Sequence, residues 1–365
     1  MDIVLMIVYA TLILGFLVFI HEGGHYLAAR AFGVRVTEFM LGLPGPNIGF
    51  TKWGTKFGVT PFLLGGYAKV CGMEPGEMSP HLEPVLAALY RRGTANMEDI
   101  ARDCGITDDE AYEALDELVE WGSIAGPTKQ DKYNTYRAPV VKPSKKQVAA
   151  GAVAYELGQA RPVEDAHALF ESEYKQQYRS LPFWKRSVIL VAGVAVNLLF
   201  AMILFVILYS VIGLDMVRQS TGEIVHVTLN PLQAIQAGFM FIGMVVQAVA
   251  GLFNPATAAE TVSQSASVIG IAALSKDAVD AGLFSIVGFV ASISVSLGIM
   301  NLLPIPPLDG GRFVIEVFQK ISRKVVTMRA LNYLSAAGMI LFIGFFLFMA
   351  NQDIQRIISG AGFGG

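Results

Sequence analysis

Four strongly apolar stretches of this 365-residue chain, 3–20, 187–214, 283–303 and 331–350, run for 18 residues or more without one Lys, Arg, Asp or Glu. A helix needs about 20 mostly apolar residues to cross a bilayer, where every backbone N–H and C=O must find a partner within the protein. The sequence therefore predicts an α-helical polytopic membrane protein with about four transmembrane helices. Composition points the same way, with 53% apolar and 16% charged residues, where a soluble domain has about a quarter charged. Two cysteines exclude a disulfide scaffold or a cysteine-based zinc module, and a net charge of −3 offers no general attraction for nucleic acid. The first stretch begins Met-Asp with no basic segment and no Ala-x-Ala site, so it reads as a retained helix rather than a removed signal.

A fifth apolar window, 237–253, contains Gly238, Gly243 and Gly251 and is short for a crossing, which suits a re-entrant or interfacial segment over 232–253. Basic residues cluster after the first stretch (Arg30, Arg35), before the second (Lys175, Arg179, Lys185, Arg186) and between the last two (Arg312, Lys320, Arg323, Lys324, Arg329). The other flanks hold only Arg218, Lys276 and Arg356. Because Lys- and Arg-rich loops stay cytoplasmic, this pattern predicts four crossings with 75–180 in the cytoplasm. The expected organisation is a first helix with a membrane-associated hairpin over 1–74 and a soluble insert over 75–140. A linker with a surface helix follows over 141–186, and the remaining helices occupy 187–365.

The chemistry is concentrated in His21-Glu22-Gly23-Gly24-His25, at the end of the first stretch. On a helix, positions i and i+4 share a face, so His21 and His25 can hold one Zn²⁺ while Glu22 acts on the metal-bound water. Ionisable groups at membrane depth are costly and therefore functional by default. A catalytic zinc site takes three protein ligands and a water. His81, His167 and His226 fall in the insert or the outer link, which leaves Asp309, in Leu308-Asp309-Gly310-Gly311 just past the third stretch, as the best third ligand. An aspartate before Gly-Gly is also a common turn residue. Asn197, inside the second stretch, is either an interhelical hydrogen bond or an amide donor to a developing oxyanion.

These pieces resemble the site-2 protease family, the intramembrane zinc metalloproteases. The resemblance rests on His21-Glu22-x-x-His25, Pro61-Phe-Leu-Leu64-Gly65-Gly66-Tyr67-Ala-Lys69, Gly193-x-x-x-Asn197, and Leu308-Asp309-Gly310 preceded by Asn301-Leu-Leu-Pro304. It implies His21, His25 and Asp309 as zinc ligands, Glu22 as general acid/base and Asn197 near the reacting centre. It also implies a membrane-embedded hairpin or loop around 54–70, where Gly65, Gly66 and Tyr67 would contact an unwound substrate. The implied substrates are transmembrane segments of single-span proteins, anti-sigma factors among them, in a prokaryotic plasma membrane. Many bacterial members carry an extracytoplasmic PDZ domain between the second and third spans, where this chain has a short link.

Residues 82–139 read as three helices (82–92, 96–104 and 107–121) and a hairpin (126–137), a pattern resembling a winged helix-turn-helix. Six basic residues, among them Arg102, Lys132 and Arg137, face twelve acidic ones, and the would-be recognition helix has no Lys or Arg. Duplex binding rests on neutralising phosphates, so a cytoplasmic protein partner is expected and nucleic acid is not. The competing reading is a catalytically silent membrane scaffold that recruits such a partner through the insert. Glu22 argues against it, because a structural metal site has no use for a general base.

Overall fold

The computed structural model describes every residue except 1, 64, 74–75, 130, 132–133, 144–147, 150, 152, 218–222 and 360–365. Leu64, Lys132 and Arg218, weighed above, lie outside the described residues. Helix α1 (Asp2–Ala31) carries the first apolar stretch straight through the histidine motif. The chain then forms β1 (Val36–Leu41), β2 (Ile48–Lys52), β3 (Thr55–Val59) and β4 (Gly66–Val70), in the sheet order β2-β3-β1-β4. β1 runs parallel to β3 and antiparallel to β4, with Phe39 opposite both Phe57 and Ala68. The expected hairpin around 54–70 is corrected on this point. The hairpin is β2–β3, while β3 and β4 are separated by β1, a strand whose side chains are covered on both faces and so show no alternation to read.

The insert contains α2 (Leu82–Arg92), β5 (Thr94–Asn96), α3 (Met97–Cys104), α4 (Asp108–Glu120) and β6 (Thr135–Arg137). Thr107 starts α4 with a capping box: its hydroxyl accepts from Glu110 N, and the Glu110 carboxylate accepts from Thr107 N. β5 pairs with β6, and Ala125 bridges to Arg137. Leu86, Leu89, Ile100, Leu115, Leu118 and Trp121 fill one core. Helix α5 (Ala166–Tyr174) packs on it, with Phe170 and Tyr174 against Trp121 at ring separations of 5.9 Å.

The membrane-type helices resume with α6 (Phe183–Val206), which continues as a π-helical turn over Ile207–Ile212. A short hairpin of β7 (Leu214–Val217) and β8 (Ile224–Val227) leads to α7 (Pro231–Gly251), α8 (Ala258–Gln264), α9 (Val268–Asp280) and α10 (Leu283–Asn301). After Pro304–Pro307 come α11 (Asp309–Ser322) and α12 (Met328–Ser359). Among the described residues five helices are long and apolar enough to cross a membrane, one more than the four windows, because α7 begins before residue 237. Pro231 takes the first turn, and Asn230 and Gln233 form a capping box that extends the helix through a polar but uncharged segment.

α1 and α6 lie antiparallel, with Phe16 against Phe200 at one level and Gly24 against Ala192 and Gly193 at another. α10 lies antiparallel to α6 in turn, placing Gly288 beside Leu208 and Gly298 beside Leu198. At the end of the bundle away from the motif, Leu229 N donates to Tyr209 O, Tyr209 meets Phe284, and Ser275 Oγ donates to Met6 O. Asp353, buried near the end of α12, accepts from Ser267 N at 2.6 Å and Gly270 N at 3.2 Å, capping α9. Gln352 reaches the carbonyls of Val262 and Ser263, and the Thr257 hydroxyl donates to Gly251 O at the end of α7.

The two adjacent glycines of the motif have different surroundings. A Cβ on Gly24 would stand 2.6 Å from Ala192 O and 2.9 Å from Gly193 Cα, whereas one on Gly23 would meet nothing within 4 Å. Gly24→Ala is therefore expected to cost about 1–3 kcal/mol through overpacking. Gly23→Ala gains up to about 1 kcal/mol of helix propensity. Thermal unfolding of the detergent-solubilised protein checks this, and equal melting temperatures for the two variants would contradict the close helix approach.

Candidate metal centre and cleft

His21 and His25 stand one turn apart on α1 and are 6% and 7% exposed, in the interior of a helix bundle where an unpaired polar ring is costly. Both point at α6, and the space for them comes from Gly193, where a Cβ would collide with His25 Nε2 and lie 2.8–2.9 Å from the His21 ring. Asp309 arrives from the other side at the first turn of α11. That turn is pressed onto the Pro-rich connection, so a Cβ on Gly310 would strike Leu302 O, and one on Gly311 would strike Pro306 N. The Gly-Gly after Asp309 is thus a packing requirement as well as a turn.

The result is a compact donor set. His21 Nε2 and His25 Nε2 are 3.4 Å apart, and each is 3.1 Å from Asp309 Oδ2. Zinc bonds of about 2.0–2.1 Å in a tetrahedron put ligand atoms roughly 3.4 Å from one another, so two imidazoles and a carboxylate at these separations fit the metal. Among the described residues this is the group of three or more His, Cys, Asp or Glu arranged to hold an ion. His81, His167 and His226 stand elsewhere, beside Glu110, Glu83 and Asp215.

Glu22 lies on the neighbouring face of α1, where its carboxylate accepts from Ala68 N of β4 at 3.0 Å. Since a strand residue directs its N–H and C=O to the same side, Gly66, Ala68 and Val70 turn their backbone groups away from β1, toward α1 and a cleft. The cleft, about 730 Å³, is lined by Glu22, His25 and Gly66–Val70 on one side and by Asp309, Arg312 and the start of α12 on the other. Gly66 packs directly on Val18 of α1, and Tyr67, its hydroxyl on Glu38 at 2.8 Å, also lines the cleft. Gly65 does not. Its φ of +106° and its carbonyl, bonded to Gly42 N, make it the turn that starts β4. Ala68 was missed in the sequence because its contribution is a backbone N–H, which no side chain announces.

Asn197 is fully buried and is not among the residues lining the cleft. Its Nδ2 lies 3.3 Å from His21 Nδ1, on the side of that ring away from Asp309. α11 is held in place by Glu316, which accepts from the Tyr178 hydroxyl at 3.2 Å and pairs with Arg186 at 3.0 Å. Burial, reinforced by Glu316, pushes the Tyr178 pKa above its ordinary value, so the hydroxyl stays a neutral donor.

The family model for peptidase family M50 matches residues 9–345, which includes every element of the centre. The chain belongs to peptidase family M50. This is the site-2 protease family that the motifs resemble, and the M50 peptidase is accordingly a zinc metalloprotease, a hydrolase. It is 24% identical to a protein of Agrobacterium fabrum, over 95% of each chain, and 25% identical to one of Campylobacter jejuni, over 95% of this chain and 92% of the other. A Thermotoga maritima protein is 31% identical over 35% of this chain and 26% of its own length. All three carry the name "putative zinc metalloprotease".

The donor set makes a direct prediction for this M50 peptidase. The purified protein retains zinc through dialysis, and His25→Ala and Asp309→Ala each lose most of it, as measured by metal analysis. Wild-type retention by Asp309→Ala would remove Asp309 from the ligand set.

Proposed function

We propose that this chain is an intramembrane endopeptidase that hydrolyses transmembrane segments of single-span membrane proteins, such as anti-sigma factors, in a prokaryotic plasma membrane. The observation that carries the reading is the meeting of His21, His25 and Asp309 at the end of apolar helices, beside a cleft walled by β4. His21, His25 and Asp309 hold Zn²⁺. When bound, zinc lowers the pKa of a coordinated water and polarises a carbonyl. Glu22 takes the proton and passes it to the leaving amine, and the Ala68 amide holds its carboxylate at the cleft. A helical substrate hides its peptide bonds in its own hydrogen bonds and must unwind before attack. β4 suits the unwound segment, since the backbone groups of Gly66 and the carbonyl of Ala68, whose N–H is held by Glu22, can add it as a further strand, with Tyr67 beside it. Gly65 supports that edge by turning the chain into it.

The fold contacts support four crossings rather than five. α7 starts beside Tyr209 and ends beside α8, which is bonded to Gln352 of α12. Tyr209 lies about 18 Å along α6 from Asn197, and Gln352 about 21 Å along α12 from Gly338, which packs on Pro306 near the site. On this reading both ends of α7 lie toward the end of the bundle away from the metal centre. α7 then rests along the outer face as an interfacial element, and 75–180 is cytoplasmic. The insert, with its helix-strand-helix-helix-strand order, is read as winged-helix-like and as the seat of a cytoplasmic protein partner.

Two measurements test the reading. Glu22→Gln is expected to keep its zinc and lose activity by about 10²–10⁴-fold. In cells, single-span proteins or their trimmed stumps then accumulate only in the mutant. No accumulation with the mutant expressed and zinc-loaded would favour the silent scaffold. For the topology, a cysteine at Ala256, between α7 and α8, is labelled by a membrane-impermeant maleimide from the outside of intact cells. Labelling only after the cells are opened would restore the fifth crossing.

A further inference from the structure

Each histidine of the centre has a back nitrogen that faces α6. His25 Nδ1 donates to Ile189 O at 2.8 Å, which leaves Nε2, the nitrogen nearest Asp309, as a lone-pair donor. A neutral imidazole carries its hydrogen on one nitrogen only, so His21 needs the same arrangement, with a proton on Nδ1 and an acceptor for it. The group at that position is Asn197, 3.3 Å away through Nδ2, so that a donor faces a donor. At the same time Asn197 Oδ1 is buried without a partner among the described residues. The two ends of a carboxamide have nearly the same shape. Turning the Asn197 amide by 180° about its terminal bond gives Oδ1 the His21 proton, which satisfies that oxygen and the ring and moves Nδ2 to the place Oδ1 held.

We propose that Asn197 is a positioning residue whose carboxamide oxygen accepts the Nδ1 proton of His21, fixing that ring with Nε2 toward the metal. The inference rests on His21 as a metal ligand. Ile189, Gly193 and Asn197 are spaced four residues apart on one face of α6, so one helix face supplies an acceptor for His25, room for both rings and an acceptor for His21. The Asn197 backbone is itself held, its carbonyl accepting from Ser294 Oγ of α10 at 2.9 Å. An oxyanion donor would have to face the cleft, which Asn197 does not line.

The test compares zinc loss to a chelator, and turnover of a model transmembrane substrate, in wild type, Asn197→Leu and Asn197→Asp. Asn197→Leu removes the acceptor and is expected to weaken zinc binding about 10–100-fold. Asn197→Asp supplies an acceptor but no donor. It is expected to recover most of the zinc retention, with the activity lost tracking the zinc lost in both variants. Zinc retention by Asn197→Leu equal to wild type would overturn the proposal. So would turnover lost in Asn197→Asp at full zinc occupancy, which would return the residue to the oxyanion role. A wild-type protein that holds no zinc, with His21→Ala behaving identically, would instead overturn the metal reading beneath it.

Discussion

Where α1 and α6 cross at Gly24 and Gly193, two backbones approach closely enough that the space a side chain would fill is taken by a pair of imidazoles. Helices in a bilayer gain little from hiding apolar groups, because lipid is as apolar as leucine, so their association depends on close contact between small residues and on polar groups that find partners. Here both effects coincide. The small residues allow the approach, and the approach puts the carbonyl of Ile189 and the amide of Asn197 within reach of the two Nδ1 atoms. Asp309 completes the centre from α11, and the same economy of space holds there, with Gly310 and Gly311 pressed onto the 302–306 backbone.

The sheet is joined to this crossing through Glu22. Its carboxylate accepts from Ala68, so the strand that walls the cleft and the candidate general base are set by one hydrogen bond. Further from the site, Arg35 at the entry to β1 donates to Trp121 O and Gly122 O of the insert and to Gln176 Oε1, and pairs with Glu173 at 2.9 Å. Cys71 N, just past β4, donates to Arg35 O. The insert therefore grips the same two strands, β1 and β4, that form the site side of the sheet. Gly122 sits against Thr37 and Arg35, where a side chain would push the two bodies apart.

Much of the centre is legible in the sequence because membrane cost makes ionisable residues conspicuous. His21, Glu22, His25 and Asp309 are isolated polar groups beside long apolar stretches, and the structure brings the three candidate ligands together. The helix ends of the insert are legible for a local reason, the Thr107 capping box and the glycines at 93 and 105. Three features are not legible. β1 is covered on both faces and carries no alternation, so the sheet order could not be read. Ala68 acts through its backbone. The full length of α7 depends on its Asn230–Gln233 cap and polar first turn, which hydropathy over 237–253 passes over. Asn197 is intermediate. Its presence in an apolar helix marks it, but only the direction of its side chain says which group it serves.

The last constraint concerns Asp309, the candidate metal ligand that does not come from α1. It is carried by a helix that follows a proline-rich irregular segment, and such a segment fixes direction poorly unless the helix is held at a second point. Glu316, two turns along α11, supplies that point through Tyr178 and Arg186, both just before or within the first turn of α6. Removing one partner of a fully buried pair costs about 3–5 kcal/mol, and less here, where the Arg186 side chain is 26% exposed. Replacing the pair with apolar groups would be cheaper but would no longer specify a rotation of α11. Since both histidine rings also contact α6, the carboxylate and the imidazoles are referred to a single helix.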